Sequence, residues 1–119
     1  PDISGLIGQY AHGNEPSHHI AYFYNFAGKP HKTQEIVRKT LATQYNSGPT
    51  GLCGNEDCEQ MSAWYVFSAM GFYPFNPADG KYVFGSPLFE KVEIPVKNNK
   101  TFTKRNMKDS TVLVVNNII

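Results

Sequence analysis

Hydrophobic residues recur along this chain with two periods, a helical one before Gly71 and a two-residue one after it. From His18 to Phe26, Ile20, Tyr24 and Ala27 share a helical face, with Phe23 beside them. Ser17 stands where a helix cap would, after the turn Gly13-Asn14-Glu15-Pro16, and Gly28 and Pro30 stop the segment. A second helix is expected from Thr33 to Tyr45, on Ile36, Val37, Leu41 and Gln44, with Glu35, Arg38 and Lys39 on the wet side. The connection between the two is short, which predicts antiparallel neighbours. A third helix is expected from Asp57 to Met70, where Met61, Trp64, Phe67 and Ser68 follow i, i+3, i+4 spacing. It is apolar nearly all round and should be deeply buried. Asp57 with Gln60 three residues later resembles a capping box. The first twelve residues are weakly patterned and fit a helix end or an irregular arm equally.

Past Gly71 the aromatic and Pro-rich stretch from Phe72 to Gly80 reads as a loop. Lys81 to Phe84 is a short strand. Phe89 to Val96 alternates, with Val92, Ile94 and Val96 on one face, and Pro95 suggests an edge. Asn98-Asn99 marks a turn, and Thr101–Thr103 and Thr111–Val115 are further strands. The expected class is therefore α+β: helical hairpins followed by short β-strands, without an internal repeat.

Composition narrows the function classes. The 119 residues are 40% hydrophobic and 13% aromatic, which places the chain among globular sequences of one-domain size. A net charge of +1 offers no electrostatic case for nucleic acid or an anionic membrane. No apolar run approaches the roughly 20 residues that span a bilayer. Cys53 and Cys58 make neither a disulfide framework nor a zinc-type pair.

The candidate chemistry lies in two polar clusters, each at a helix start after glycine: His12, Asn14, Glu15, His18 and His19, then Asn55, Glu56, Asp57, Glu59 and Gln60. If the first and third helices run parallel, the clusters are neighbours on one rim. Such a rim suits a hard cation with oxygen ligands or a pair of acid and base carboxylates. Capping and dipole compensation use the same residue types, and spacing does not separate the readings. His18 and His19 diverge by about 100° on a helix and do not form a zinc pair. Cys58 could sit at a helix start, but Glu56, Asp57 and Glu59 crowd it with negative charge, which raises a thiol pKa.

Gly13 to Tyr22, Tyr24 to Gly28, Gly54 to Tyr65, Gly71 to Pro74 and Phe84 to Phe89 together resemble the calcium-dependent exo-α-mannosidases of glycoside hydrolase family 92. The resemblance implies an (α/α)6 barrel joined to a β-sandwich. Residues 1–71 would end the barrel, residues 72–119 would lead to the sandwich, and the chain would be a C-terminal portion of a longer catalytic region. It implies hydrolysis of terminal α-linked mannose, of α-1,2 type, with inversion and with Ca²⁺ helping to distort the sugar. In that picture Asp57 resembles the general base, with Glu56 the other acidic candidate. His12, Glu15, His18 and Gln60 face the sugar, and Asn14 and Glu15 face the calcium. The general acid lies upstream. Partners would be mannose-containing glycans and the rest of the polypeptide, in a secreted, periplasmic or cell-surface setting. One departure stands out: where the family usually reads Cys-Gly-Gln-Met-Ser, this chain has Glu59 in the glycine's place. A non-catalytic sugar- or calcium-binding module, or a structural domain whose polar clusters are caps, are the alternatives.

Overall fold

The computed structural model describes residues 3–106. The first described residues form an antiparallel ribbon, β1 (Leu6–Ile7) and β2 (Tyr10–Ala11), instead of a helix end or an irregular arm. The expected helix from His18 to Phe26 is broken into short pieces: a 3₁₀ turn, Glu15–Ser17, precedes it, and a second, Ile20–Tyr22, runs into the one-turn helix α1 (Phe23–Phe26). Ser17 lies within the first of these turns and is not a cap. The segment between them is bent around His18, whose side chain turns inward and whose carbonyl accepts a bond from Trp64 Nε1 at 3.0 Å.

Helix α2 (Pro30–Thr43) starts three residues earlier than the periodicity suggests, because Pro30 opens it. A proline at the first helical position forgoes only an N–H that has no intrahelical partner. Its inner face carries Thr33, Val37, Thr40 and Leu41. Helix α3 (Gln60–Met70) starts three residues later than expected and ends on Gly71 at φ +89, whose N–H bonds the carbonyls of Phe67 and Ser68. A Cβ on Gly71 would lie 2.7 Å from the Pro87 nitrogen, so the close approach also demands glycine. Met61, Trp64, Ser68 and Ala69 are buried, but Val66 is half exposed. One apolar face of α3 is thus uncovered by the described residues, contrary to the all-round burial expected.

The stretch from Phe72 contains β3 (Phe72–Asn76), a strand and not a loop; the 3₁₀ turn Pro77–Asp79 and β4 (Lys81–Phe84) follow. Aromatic side chains suit a pleated, half-buried surface, and Pro74 falls where the register shifts between Tyr73 and Asn76, so its missing N–H interrupts no regular ladder. Strand β5 (Lys91–Val96) pairs with β6 (Lys100–Arg105) in continuous register. Asn98 and Asn99, at φ 63 and 55, make the turn with the handedness that tight hairpins favour. The strand expected over Thr111–Val115 lies outside the described residues. The α+β class holds among those described, with three separate two-stranded ribbons.

The core gathers Ala21, Tyr22, Val37, Leu41, Trp64 and Tyr73. Tyr22 stacks on Tyr73 at 4.9 Å and bonds Ser68 Oγ through its hydroxyl at 2.7 Å. Trp64 is fully enclosed and meets the His12 ring edge-on at 4.2 Å. Trp64→Ala should therefore cost about 3–5 kcal/mol, the range for deleting a buried aromatic ring, as read by denaturant titration. Because Trp64 also borders the cleft described below, a variant that melts like its parent yet binds ligand poorly would assign the ring to recognition instead.

Candidate functional site

The two polar clusters meet through glycine. A Cβ on Gly54 would lie 2.2 Å from the Gly13 carbonyl oxygen, and one on Gly13 would lie 2.1 Å from Ser4 Oγ. Only bare backbone allows this approach, and it sets Gly13-Asn14-Glu15 beside Gly54-Asn55-Glu56-Asp57. The adjacency expected of the two clusters is present.

Beneath the rim lies a polar core. His12 and His18 are both enclosed and stack at 4.8 Å. Tyr45 donates its hydroxyl proton to the Met61 carbonyl at 3.2 Å, so it accepts from His12 Nε2–H at 2.5 Å. His12 Nδ1 then accepts from the Tyr10 hydroxyl at 2.8 Å. His18 Nε2 donates to the His12 carbonyl at 3.1 Å, with Met61 Sδ 3.2 Å away, and its Nδ1 accepts from Gln60 Nε2 at 3.1 Å. Burial first, then the neighbouring His18, pushes the His12 pKa down to about 3. Burial also lowers that of His18, against the opposing pull of the His12 carbonyl and Glu15. Both rings are neutral, and all four ring nitrogens are occupied. His12 and His18, expected to touch substrate, instead back the rim: enclosed rings with committed nitrogens leave no group for a ligand.

The acidic candidates separate into two roles. Glu56 accepts from Ser62 N at 2.9 Å through one carboxylate oxygen and from Ser62 Oγ at 2.8 Å through the other. It caps the first turn of α3. Asp57 does not form the expected capping box, because Asp57, Cys58 and Glu59 turn left-handed at φ 52, 54 and 68 before the helix begins. Asp57 is exposed and meets Glu15: the hydrogen bond between the two carboxyls, then desolvation and repulsion by Glu15 and Glu56, raise its pKa above the usual carboxylate range. Three consecutive non-glycine residues in this region store strain, at about 1–2 kcal/mol each.

A cleft of about 260 Å³ opens beside this rim. Glu15, His19 and Gln60 form its polar edge, and Trp64, Phe67, Tyr73 and Phe75 its wall. It falls short of the roughly 300–1,000 Å³ of complete ligand pockets. The loop expected from Phe72 to Gly80 leaves Tyr73 and Phe75 out of the candidate site; the aromatic density from Phe72 to Phe75 is the signal that points to them. Asn14, Glu15 and Asp57 offer hard oxygen donors suited to calcium, which takes about 6–8 oxygens. Among the described residues no group of three or more acidic, histidine or cysteine side chains converges on one point. Their oxygen chemistry suits the ion, but among the described residues they do not form a site by themselves.

Comparison with known proteins supplies the family. A family model described as the glycosyl hydrolase family 92 catalytic domain matches residues 1–118. An uncharacterized secreted glycosidase of Arthroderma benhamiae is 37% identical over 97 residues, covering 80% of this chain and 12% of that protein. A family GH92 α-mannosidase from Bacteroides thetaiotaomicron, solved with mannoimidazole, superposes with a TM-score of 0.77 at 46% identity, over 86% of this chain and 13% of that one. A family GH92 inverting mannosidase from Bacteroides thetaiotaomicron VPI-5482 gives a TM-score of 0.75 at 50% identity, over 87% and 14%. The chain thus spans only about an eighth of the length of these relatives.

Glu59 holds a backbone conformation that favours glycine, and it is exposed. Glu59→Gly should relieve the left-handed cost while adding chain entropy to the unfolded state, for a net gain of about 0.5–1 kcal/mol. The denaturation midpoint checks this; a lower midpoint would mean that the Glu59 side chain contributes more than its backbone costs.

Proposed function

The chain belongs to glycosyl hydrolase family 92, and on that premise we propose that it is part of an exo-α-mannosidase that removes terminal α-linked mannose with inversion and calcium assistance. In this reading residues 1–71 end an (α/α)6 barrel and residues 72–119 lead into a β-sandwich. The observation that carries the catalytic assignment is the division of labour at the rim. Asp57 is an exposed carboxylate with a raised pKa, whereas both Glu56 oxygens are committed to Ser62.

Inversion needs a base that activates water on one face of the sugar, and an acid for the leaving oxygen about 6.5–9.5 Å away. Asp57 is the base. It takes a proton from the water as the water oxygen bonds to the anomeric carbon, and the glycosidic bond breaks on the opposite face. The proton for the departing oxygen comes from an acid elsewhere in the polypeptide. A base works best with a pKa drawn toward the working pH, and Glu15 supplies that shift by its hydrogen bond and its charge. Gln60 and Glu15, on the cleft edge, bind sugar hydroxyls. Asn14 and Glu15 would hold part of a calcium shell, and the ion would supply positive charge that polarises sugar hydroxyls. The substrates are mannose-containing glycans met in a secreted, periplasmic or cell-surface setting. The description of the fungal relative as secreted supports that setting. No helix among the described residues is long and apolar enough to cross a membrane.

In the full-length enzyme, Asp57→Asn should lower kcat by at least about 10²-fold, the loss expected with a general base, without changing the melting temperature. Near-parental turnover would remove Asp57 from the mechanism. The pH dependence gives a second readout. Asp57 acts ionised, and Glu15 holds its pKa up, so activity is lost on the acid side as pH falls through that raised value. Glu15→Gln should therefore move the acid limb of kcat/KM to lower pH. An unmoved limb would show that Glu15 does not set it.

A further inference from the structure

We propose that His18 is a positioning residue that fixes the amide of Gln60, so that the carbonyl oxygen of Gln60 is the atom offered to the sugar; this rests on the mannosidase reading above. The argument is one of donors and acceptors. His18 is enclosed, and its Nε2 lies 3.1 Å from the His12 carbonyl and 3.2 Å from Met61 Sδ. Both of those groups only accept, so Nε2 carries the proton. A neutral imidazole has one N–H, which leaves Nδ1 with a lone pair. Gln60 Nε2, 3.1 Å away, must be the donor to it. A flipped amide would set a carbonyl oxygen against that lone pair, two acceptors face to face. The same Nε2 also reaches Tyr73 Oη at 3.5 Å, which accounts for its second hydrogen.

The consequence appears on the other side of the amide. Gln60 borders the cleft together with Glu15 and Tyr73. With both hydrogens turned back toward the protein, Oε1 has no hydrogen-bond donor among the described residues, and it accepts only. The chemistry selected is a ligand that donates at this point, a neutral hydroxyl of a polyol. A carbonyl or carboxylate there would meet an acceptor. The chain of constraint therefore runs from the His12 backbone through His18 to Gln60, and a ring that never touches the sugar decides which atom does.

Two substitutions separate positioning from support. His18→Asn can place its carbonyl oxygen near the former Nδ1, keeping an acceptor for Gln60 while losing the bond to His12. His18→Gln can place its amide nitrogen near the former Nε2, keeping the bond to His12 while losing the acceptor. In the full-length enzyme, with an aryl α-mannoside as probe, kcat/KM per folded molecule should be at least about tenfold lower for His18→Gln than for His18→Asn, on the scale of one hydrogen bond. In a Gln60→Leu background the two should become equal, as coupling through Gln60 requires. Equal values in the parent background, or the reverse order, would overturn the proposal. A measurement independent of turnover is ¹⁵N NMR of the histidine-labelled enzyme. It should show His18 neutral with the proton on Nε2, and a proton on Nδ1 would overturn the proposal. An unmutated enzyme that leaves mannosides intact would defeat the mannosidase reading alone, and the tautomer would still decide the positioning of Gln60.

Discussion

Gly54 presses its α-carbon against the Gly13 carbonyl, at a distance that a Cβ would close to 2.2 Å. The rest of the rim depends on this contact. It turns two stretches some forty residues apart into a single surface, with Glu15 and Gln60 on the cleft and Asp57 against Glu15. A methyl group at Gly54 would force the two acidic loops apart, and one at Gly13 would press on Ser4 behind them. The carboxyl pairing that raises the pKa of Asp57 would be lost with them.

The rim rests on a buried polar core whose ring nitrogens are all paired. Burying imidazoles is costly unless each nitrogen finds a partner, and here each does: two tyrosine hydroxyls for His12, and a backbone carbonyl with the Gln60 amide for His18. A fully satisfied buried network favours one arrangement over its neighbours, and Trp64 locks it by packing on His12 while donating to the His18 carbonyl. Functional groups are held well when their supports are themselves fixed. The left-handed turn at Asp57, Cys58 and Glu59 shows the other side of this arrangement. Strained backbone persists where surrounding structure over-determines it, and here the turn keeps Asp57 off the helix and on the rim while Glu56 takes the capping duty.

Much of this was legible in the chain, and the failures have physical causes. The apolar stripes of α2 and α3 follow from periodicity and the hairpin turn from the Asn98-Asn99 pair; the adjacency of the two clusters, expected from parallel helices, is made through Gly13 and Gly54. Helix starts were misplaced where proline and left-handed residues override propensity: Pro30 opens α2, and the positive φ values at 57–59 delay α3. His12 and His18 are placed at the sugar only by the family resemblance; their enclosure depends on Tyr10 beside them in sequence and on Tyr45 and Trp64, brought in from distant positions. The strand at Phe72–Asn76 was hidden by Pro74, which sits at a register shift. The uncovered face of α3 around Val66 has no cause within the described residues; a chain of about an eighth the length of its relatives leaves that face to the remaining polypeptide under the proposed reading.

The proposed mechanism requires Asp57 to activate the water that attacks the sugar. Chemical rescue tests this most directly. In the full-length enzyme, Asp57→Gly removes the base and suits a backbone already at φ 52. With an activated aryl α-mannoside and added azide, the azide ion needs no base and enters the face that the water would have used. The predicted result is restored turnover with β-mannosyl azide as product, and none from the corresponding Glu56→Ala variant. Rescue of Glu56→Ala in place of Asp57→Gly, or α-mannosyl azide as the product, would contradict the account.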